Sequence, residues 1–351
     1  MNGIIILEMQ LLGIDFAPVN TPMRRRLQTL AAGFGFATFV FGGVFGALFL
    51  LYVILYTNRW PEAIIYLIWM LIIDKDICDQ GGRRVEWVRS WKWWKYLKEY
   101  YPIKLERVPW LELDPKRNYL FCCFPHGILP TSTFSAFCDN SSEFHSLFPY
   151  HTPHLCVLKK LFYSPILREL MLAVGMCSVS ARSLEYLLGA PEGGNVAGLI
   201  VGGAEETFYS QPQHYNVVLK NRKGFVKMAL KHGSPLVPVF SFGETDVFKQ
   251  INNPKGSPLR RIQDWMKAIT GVAFVLPLGR GYLQYSFGLV PLRKPISTIV
   301  GKPIEVLRTP NPTEEEINAV HDEFIKQLID LFEEQKHNYL QNPESARLII
   351  M

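Results

Sequence analysis

The sequence predicts an α/β domain with a mixed β-sheet flanked by helices, preceded by an N-terminal transmembrane hairpin. Three observations support this prediction. The 25 residues at 33–57 carry no charge, short apolar runs ending in glycine, proline or polar turns recur after position 118, and stretches at helical spacing separate those runs. We divide the chain into an N-terminal cytosolic segment (1–32), a membrane hairpin (33–73), an amphipathic interfacial segment (74–118) and a catalytic-size domain (119–351).

The composition excludes several classes of protein. Apolar residues make up 48% of the 351 residues, enough for one substantial core without disulfides or metals. The net charge of +6 is too small and too dispersed for a nucleic-acid-binding protein. A negatively charged membrane surface or a phosphorylated cosubstrate fits it better. The 6 cysteines form no CxxC pair, so we expect reduced thiols on the cytosolic side and no metal.

The apolar run at 33–57 would reach about 37 Å as a helix, against a hydrocarbon core of about 30 Å. A second run, at 63–73, is only about 16 Å long as a helix, so it predicts a hairpin or re-entrant arm. Basic residues flank both runs, at Arg24–Arg26 and between positions 75 and 98. By the positive-inside rule, both termini then face the cytosol. The alternative is one buried core helix of a soluble protein, but uncharged runs of this length are rare there.

The stretch at 87–102 reads WVRSWKWWKYLKEYYP. Its tryptophans, tyrosines and alternating lysines suit the headgroup layer of a membrane. An amphipathic helix packed on the domain is the alternative. Farther along the chain, strand-like runs are predicted at 119–124, 199–203, 235–243 and 297–304. A cap at Asn311–Thr313, followed by three glutamates, predicts a long final helix.

A histidine follows the first strand-like run, in the turn Phe124-Pro125-His126-Gly127. A neutral imidazole at a strand end is suited to remove a proton at cytosolic pH. On its own, the motif is equally well explained by a structural, hydrogen-bonded histidine. Gly127 allows a ligand or another stretch of backbone to approach closely.

Two further motifs contain charged residues. Gly202 and Gly203 precede Glu205 and Glu206 after another strand-like run, where a carboxylate can orient an imidazole or merely cap a helix. Asn221, Arg222 and Lys223 open a predicted helix, whose start can hold phosphate. Arg280 is a second candidate anion contact. For these cations, a solvated surface is the alternative.

These motifs appear in an order that resembles a known family. The sequence contains GGRR-x-EWVR (81–89), NYLF-x-x-FPHG (118–127), VGGAEE (201–206), NRKGFVK-x-AL-x-HG (221–233), LVPV-x-SFGE (236–244), GRG (279–281) and GLVP-x-x-KPI-x-T-x-VG-x-PI (288–304). The succession, from about Leu51 to about Glu334, resembles the type-2 diacylglycerol acyltransferases, a family that also contains monoacylglycerol and wax-alcohol acyltransferases.

The resemblance implies transfer of an acyl group from acyl-coenzyme A to diacylglycerol, forming triacylglycerol. A monoacylglycerol or a long-chain alcohol is the alternative acceptor. It also implies a membrane hairpin, residence in the endoplasmic reticulum and on lipid droplets, and no metal. Whether the chain forms a homo-oligomer stays open.

The resemblance also assigns roles to particular residues. The family's His-Pro-His-Gly falls on 124–127, with Phe124 in place of the first histidine. His126 is then the catalytic base and Glu206 its partner. Asn221, Arg222, Lys223 and Arg280 are the candidate contacts for coenzyme A.

Two other classes of function stay in competition. One is a cysteine or metal hydrolase using Cys122 or Cys123, or His145, His151, His154 and Cys156. Pro153 argues for a loop between His151 and His154, and the spacing of these two histidines is unlike that of a helical zinc site. The other is a non-catalytic membrane scaffold.

Overall fold

The computed structural model describes residues 9–11, 13–109 and 112–351. Most of the predicted cytosolic segment falls within these ranges, but positions 1–8 and 12 lie outside them. The helices are α1 (Met23–Tyr56), α2 (Trp60–Ile68), α3 (Glu86–Arg89), α4 (Lys92–Tyr100), α5 (Thr131–Cys138), α6 (Phe144–Leu147), α7 (Leu167–Ala173), α8 (Ala181–Leu188), α9 (Ala204–Thr207), α10 (Gly224–His232), α11 (Pro258–Thr270) and α12 (Glu314–Tyr339). The strands are β1 (Met9–Leu11), β2 (Ile14–Phe16), β3 (Lys104–Arg107), β4 (Tyr119–Phe124), β5 (Thr152–Val157), β6 (Met176–Ser178), β7 (Asn195–Ile200), β8 (Tyr215–Val217), β9 (Leu236–Phe242), β10 (Lys249–Gln250), β11 (Pro277–Leu278), β12 (Ser297–Val300) and β13 (Leu348–Ile350).

Seven strands form one sheet in the order β3-β12-β9-β4-β7-β5-β6. β4 lies at the centre, parallel to β9 on one side and to β7 on the other. β5 and β6 extend the parallel part, whereas β12 is antiparallel to β9 and parallel to β3. The sheet is therefore mixed, as predicted. Because β9, β4 and β7 are parallel neighbours, their carboxyl ends meet at one edge.

The side chains of β4 alternate between two buried layers. Phe121 and Cys123 join a cluster with residues of α1, α4, α5 and α7. Leu120, Cys122 and Phe124 join a second cluster, with α8, α10 and α12. A parallel strand covered on both faces reads as an unbroken apolar run, and this is why the strand at 119–124 is recognisable in the sequence.

Helix α1 has 34 residues, and in length and composition it is sufficient to cross a membrane. Its most apolar part has a mean hydropathy of 2.3 and is only 6% buried. The helix starts at Met23 and so extends beyond the uncharged run at 33–57, because Arg24–Arg26 belong to the same helix and hydropathy marks only its apolar part. Its first turns pack on the domain, with Ala32 and Phe36 buried.

The second apolar run forms the other arm of the hairpin. α2 packs against α1 and continues as a π-helical turn at Trp69–Ile73. The two arms differ in length, as predicted. Gly46 brings α1 against the loop before α7, where a Cβ atom would overlap the carbonyl oxygen of Pro165.

Much of the aromatic segment at 87–102 packs against the α/β domain. In α4, Trp94, Leu97 and Tyr100 are buried in the core, and the helix packs along the start of α1. Its apolar face is thus covered by protein, the alternative considered for this segment, while Trp87 remains exposed. β3 also lies within 74–118, so the sheet begins before position 119.

Two other expectations have opposite outcomes. The loop expected around Pro153 is wrong, because Thr152–Val157 is β5. Pro153 is tolerated there since it lies near the strand start, where pairing with β6 has not begun; that pairing starts at Leu155. The final helix is confirmed: Thr313 and Glu316 form a reciprocal capping box at the start of α12.

Candidate functional site

His126 lies just beyond the end of β4, in the loop that leads to α5. Glu206 follows the neighbouring strand β7, and Glu244 follows β9 on the other side of β4. The strand order therefore brings a histidine and two carboxyl groups to one edge of the sheet, as expected for the carboxyl ends of parallel strands. His126 is partly exposed, whereas Glu206 is 2% exposed and Glu244 0%.

Glu206 contacts the main chain of His126. Its Oε2 accepts a hydrogen bond of 2.7 Å from the backbone N–H of His126. Its Oε1 accepts one of 2.8 Å from the N–H of Val218. The sequence predicted a carboxylate beside the imidazole ring. Glu206 instead fixes the residue that bears the ring, and it ties that residue to the loop before α10.

The imidazole is oriented by other groups. Its Nδ1 lies 3.1 Å from the carbonyl oxygen of Gly127 and 3.2 Å from Oγ1 of Thr207. A carbonyl oxygen only accepts, so Nδ1 carries the proton and donates it. We therefore assign the tautomer in which Nε2 has a free lone pair. A histidine in this form is ready to accept a proton at Nε2.

Burial changes the proton affinities at this edge. It lowers the pKa of His126 below the ordinary value of 6.5, with hydrogen bonds to the backbone opposing it in part. The imidazole is therefore neutral at cytosolic pH, as a general base must be. Burial also raises the pKa of Glu206 to about 8, although the N–H groups of His126 and Val218 and the charge of Arg222 favour its ionised form.

Glu244 is a site residue to which the sequence analysis gave no role. Its carboxyl oxygens accept hydrogen bonds of 3.0 Å and 2.8 Å from the N–H groups of Thr131 and Ser132, in the first turn of α5. Burial raises its pKa to about 7. The SFGE run placed this glutamate directly after a strand-like run, as VGGAEE did for Glu206. That position was the available signal.

The glycines of the motifs permit close approaches. At Gly202, a Cβ atom would overlap the carboxyl group of Glu206, so glycine is required for the carboxyl to fold back over the strand end. Gly127 has a φ of +65°, and a Cβ atom there would lie 3.1 Å from Cγ of Glu244. Gly203 also has a positive φ, at the turn into α9.

Phe124 points into the core. It is fully buried, and its ring centroid lies 6.2 Å from that of Phe324 in α12. Phe225 of α10 packs on the same ring of Phe324. Position 124 therefore contributes to packing beneath α10 and α12, one strand position before the turn at Pro125 that carries His126.

The predicted coenzyme A contacts fall into two groups. Asn221, Arg222 and Lys223 lie at the start of α10, where Lys223 Nζ donates to Asn318 Oδ1 at 2.6 Å. Arg222 is exposed and close enough to Glu206 to favour its ionised form. Arg280 lines a cavity with residues of the N-terminal segment and α1.

The hydrolase candidates are dispersed or buried. Cys122 and Cys123 are fully buried, and burial raises the pKa of both thiols, the latter to about 12. Such thiols are poor nucleophiles. Across 9–11, 13–109 and 112–351, no three His, Cys, Asp or Glu side chains are arranged to hold a metal ion.

The α/β domain is joined to a long apolar helix, and its sheet edge carries a neutral imidazole with a free Nε2. A cationic helix start lies nearby. This arrangement is suited to activating a hydroxyl group. The family model described as "Diacylglycerol acyltransferase" matches residues 52–351, and the chain belongs to this family. Its class of function is therefore acyl transfer in lipid biosynthesis.

The names of three similar proteins mention three different acceptors. "2-acylglycerol O-acyltransferase 1" of Bos taurus is 45% identical over 336 residues, 96% of this chain and 99% of the relative. "Diacylglycerol O-acyltransferase 2" of Dictyostelium discoideum is 39% identical, covering 93% and 96%. "Acyl-CoA wax alcohol acyltransferase 2" of Homo sapiens is 37% identical, covering 82% and 86%.

A solved structure is also similar to this chain. The 1-acyl-sn-glycerophosphate acyltransferase PlsC of Thermotoga maritima matches with a TM-score of 0.39 and 13% identity, over 88% of this chain and 97% of PlsC.

Proposed function

We propose that the chain transfers a fatty acyl group from acyl-coenzyme A to a hydroxyl group of an acylglycerol, with His126 as general base. The observation that supports this most is the hydrogen bond from Nδ1 of His126 to the Gly127 carbonyl. It leaves Nε2 deprotonated beside a partly exposed edge of the sheet.

The reaction needs no covalent enzyme intermediate. Nε2 of His126 takes the hydroxyl proton as the acceptor oxygen attacks the thioester carbonyl carbon, so a C–O bond forms. The C–S bond then breaks, and the imidazolium returns the proton to the departing coenzyme A thiolate. The thioester is already activated, so one base suffices. Glu206 and Glu244 act as positioning residues, because both hold main-chain groups of the loop that carries the base.

The coenzyme A contacts remain those expected from the sequence. Arg222 and Lys223 stand at the start of α10, whose backbone N–H groups favour an anion. Asn221 directly precedes these two cations, and the acceptor of the Lys223 ammonium group, Asn318, is uncharged, so the charge of Lys223 is not neutralised by this contact. Arg280 is proposed as a contact for a phosphate at a separate place in the fold.

Two acceptors have specific support. The relatives named as 2-acylglycerol acyltransferases are 41–46% identical to this chain, which favours a monoacylglycerol. The diacylglycerol acceptor, expected from the sequence, is supported by the relative from Dictyostelium discoideum at 39% identity. The products would be diacylglycerol and triacylglycerol respectively.

The membrane location is part of the proposal. α1 and the shorter arm that follows it would form a hairpin in the endoplasmic reticulum membrane, with both termini cytosolic and with access to lipid droplets. The basic residues at the start of α1 and after the second arm support this orientation.

The test is a product profile of the purified full-length protein in phosphatidylcholine nanodiscs. Labelled oleoyl-coenzyme A is offered with 2-monoacylglycerol, diacylglycerol or hexadecanol at equal concentrations, and the labelled esters are separated by chromatography. His126→Ala is the matched inactive control. We expect labelled acylglycerol from the wild type only. Free labelled fatty acid would indicate a hydrolase, and the absence of any product would favour a scaffold.

A further inference from the structure

A cavity lined by arginines lies at the start of α1, apart from the residues around His126. Its volume is about 940 Å³. Arg25 and Arg26 come from the first turn of α1, and Arg280 and Arg293 come from the segment between β11 and β12. Asp15 is the one acidic residue in its described lining. Four guanidinium groups thus face a single carboxylate.

The hydrogen bonds that the structure describes for three of these guanidinium groups go to uncharged acceptors. Arg26 donates to the carbonyl oxygens of Thr21 and Val19, and Arg293 donates to Oε1 of Gln28 at 2.7 Å. Arg280 donates to the carbonyl oxygen of Gly281. All of these acceptors are neutral. Among the residues that the structure describes, none of the four cavity arginines makes an ion pair.

An arginine next to the cavity differs from the four in its lining, because it does have an ionic partner. Arg24, the neighbour of Arg25 in sequence, pairs with Glu99 at 2.6 Å and lies outside the cavity. Inside the cavity, like charges approach one another. Burial lowers the pKa of Arg293, and the charges of Arg25 and Arg280 lower it further. A bound anion would relieve this repulsion.

The N-terminus of α1 adds to the positive potential. The helix has 34 residues, no acidic residue in its first turn and no side chain that caps its N-terminus. Its positive dipole end therefore coincides with Arg25 and Arg26 instead of being compensated. The cavity lining continues into Leu30 and Leu283, both exposed. The lining thus combines cationic side chains with exposed apolar ones.

We propose that this cavity binds a phosphate group whose carrier also has an acyl chain. Planar guanidinium groups bind phosphate oxygens through paired hydrogen bonds, and the apolar rim suits a hydrocarbon chain. Two molecules share this chemistry: an anionic phospholipid of the membrane surface, and acyl-coenzyme A through its nucleotide phosphates. The second source rests on the proposed function, and the first does not.

Binding is measured on the purified full-length protein without any acceptor. The probes are coenzyme A, titrated against the protein in phosphatidylcholine nanodiscs, and phosphatidic acid, whose retention from mixed micelles is measured by native mass spectrometry. The first variant is the double substitution Arg280→Gln/Arg293→Gln. The second is Arg25→Gln, a substitution at an exposed position that should not disturb the packing of the core. Arg24→Gln removes the same charge outside the cavity and is the matched control. Thermal unfolding verifies the fold of each variant.

We expect the double variant to bind one of the two probes at least about tenfold more weakly, Arg25→Gln to bind it about threefold more weakly, and Arg24→Gln to match the wild type. Loss of coenzyme A binding identifies acyl-coenzyme A as the source, and loss of phosphatidic acid identifies a phospholipid. The proposal is overturned if a folded double variant binds both probes like the wild type, or if Arg24→Gln loses as much. Because no turnover is measured, a failure here is distinct from a failure of His126 as the base.

Discussion

The two buried carboxyl groups at the edge of the sheet hold the same loop at different points. Glu206, after β7, accepts from the N–H of His126 itself, whereas Glu244, after β9, accepts from Thr131 and Ser132 at the start of α5. One fixes the residue that bears the imidazole, and the other fixes the helix that follows. We infer that turnover depends more on Glu206 than on Glu244, although both side chains are almost fully buried.

Among variants of the residues that position His126, the largest effect is expected from Glu206→Gln. The amide group presents an N–H to one of the two backbone donors, so the His126 main chain shifts. A shift of about 1 Å in a catalytic group costs about a hundredfold in rate, and we expect kcat to fall between about tenfold and a hundredfold. The KM for acyl-coenzyme A should stay within about twofold of the wild type. Steady-state kinetics in phosphatidylcholine nanodiscs measures both.

The neighbour in sequence supplies the control for this variant. Glu205 points elsewhere and pairs with Lys267 and Arg260 of α11, so Glu205→Gln should retain a kcat close to that of the wild type. Equal losses in the two variants would mean that Glu206 has no special role in positioning His126.

Glu244→Gln should have a smaller effect on the rate. Its carboxyl group holds α5 at a point several residues beyond His126, so the imidazole is displaced less. We expect kcat to fall about threefold to tenfold, together with a lower melting temperature, because one buried N–H loses its acceptor. Asp246→Asn, in the same turn, is the control. A kcat loss that exceeds that of Glu206→Gln would reverse the comparison.

Thr207→Val should have the smallest effect on turnover. Its hydroxyl lies 3.2 Å from Nδ1 of His126, but the Gly127 carbonyl also accepts from this nitrogen. The tautomer is therefore preserved when the hydroxyl is lost, and we expect kcat to fall by about threefold or less. A loss as large as that of Glu206→Gln would show that Thr207, rather than Gly127, fixes the tautomer.

The two carboxyl groups should also differ in how they link stability to pH. Each pKa is raised on folding, from 4.5 to about 8 for Glu206 and to about 7 for Glu244. Between the unfolded and folded values the native state binds more protons, so stability falls as pH rises. Melting temperatures should therefore decline between pH 5 and 8, by a few degrees per group. Glu206→Gln should flatten the part between pH 7 and 8, whereas Glu244→Gln should not. An unchanged slope in Glu206→Gln would contradict the raised pKa.

The sequence predicted the components of this site better than their contacts. His126 and the pair Glu205 and Glu206 stood out because each follows an apolar run that becomes a strand, and the family resemblance singled out His126 and Glu206 among them. Glu244 follows a third such run, but its proximity to His126 arises from the spatial order β9-β4-β7, which the chain order does not encode. Which atom of His126 Glu206 contacts depends on the direction of the backbone after β4. The sequence therefore predicted a contact with the imidazole, whereas the structure shows one with the backbone N–H.

The same distinction applies to the fold. The mixed sheet and the apolar helix were predictable because a strand buried on both faces, and a helix long enough to cross a membrane, each appear in the sequence as an unbroken apolar run. β5 was missed because Pro153 was taken as a strand breaker, although it stands where the second partner strand has not begun. Hydropathy marks only the apolar part of α1, because the arginines at its start belong to the helix without any apolar signal.

We expect His126 to act as a neutral base with a free lone pair on Nε2, and the decisive measurement is the pH dependence of kcat/KM for acyl-coenzyme A. Burial lowers the pKa of His126, so the wild type should keep its rate below pH 6.5 and then lose it tenfold per pH unit at lower pH, as one group becomes protonated. In His126→Ala, the rate should be lower by at least about a hundredfold, and this acid limb should be absent. Near-normal turnover in a folded His126→Ala, or an acid limb unchanged by the substitution, would exclude His126 as the general base.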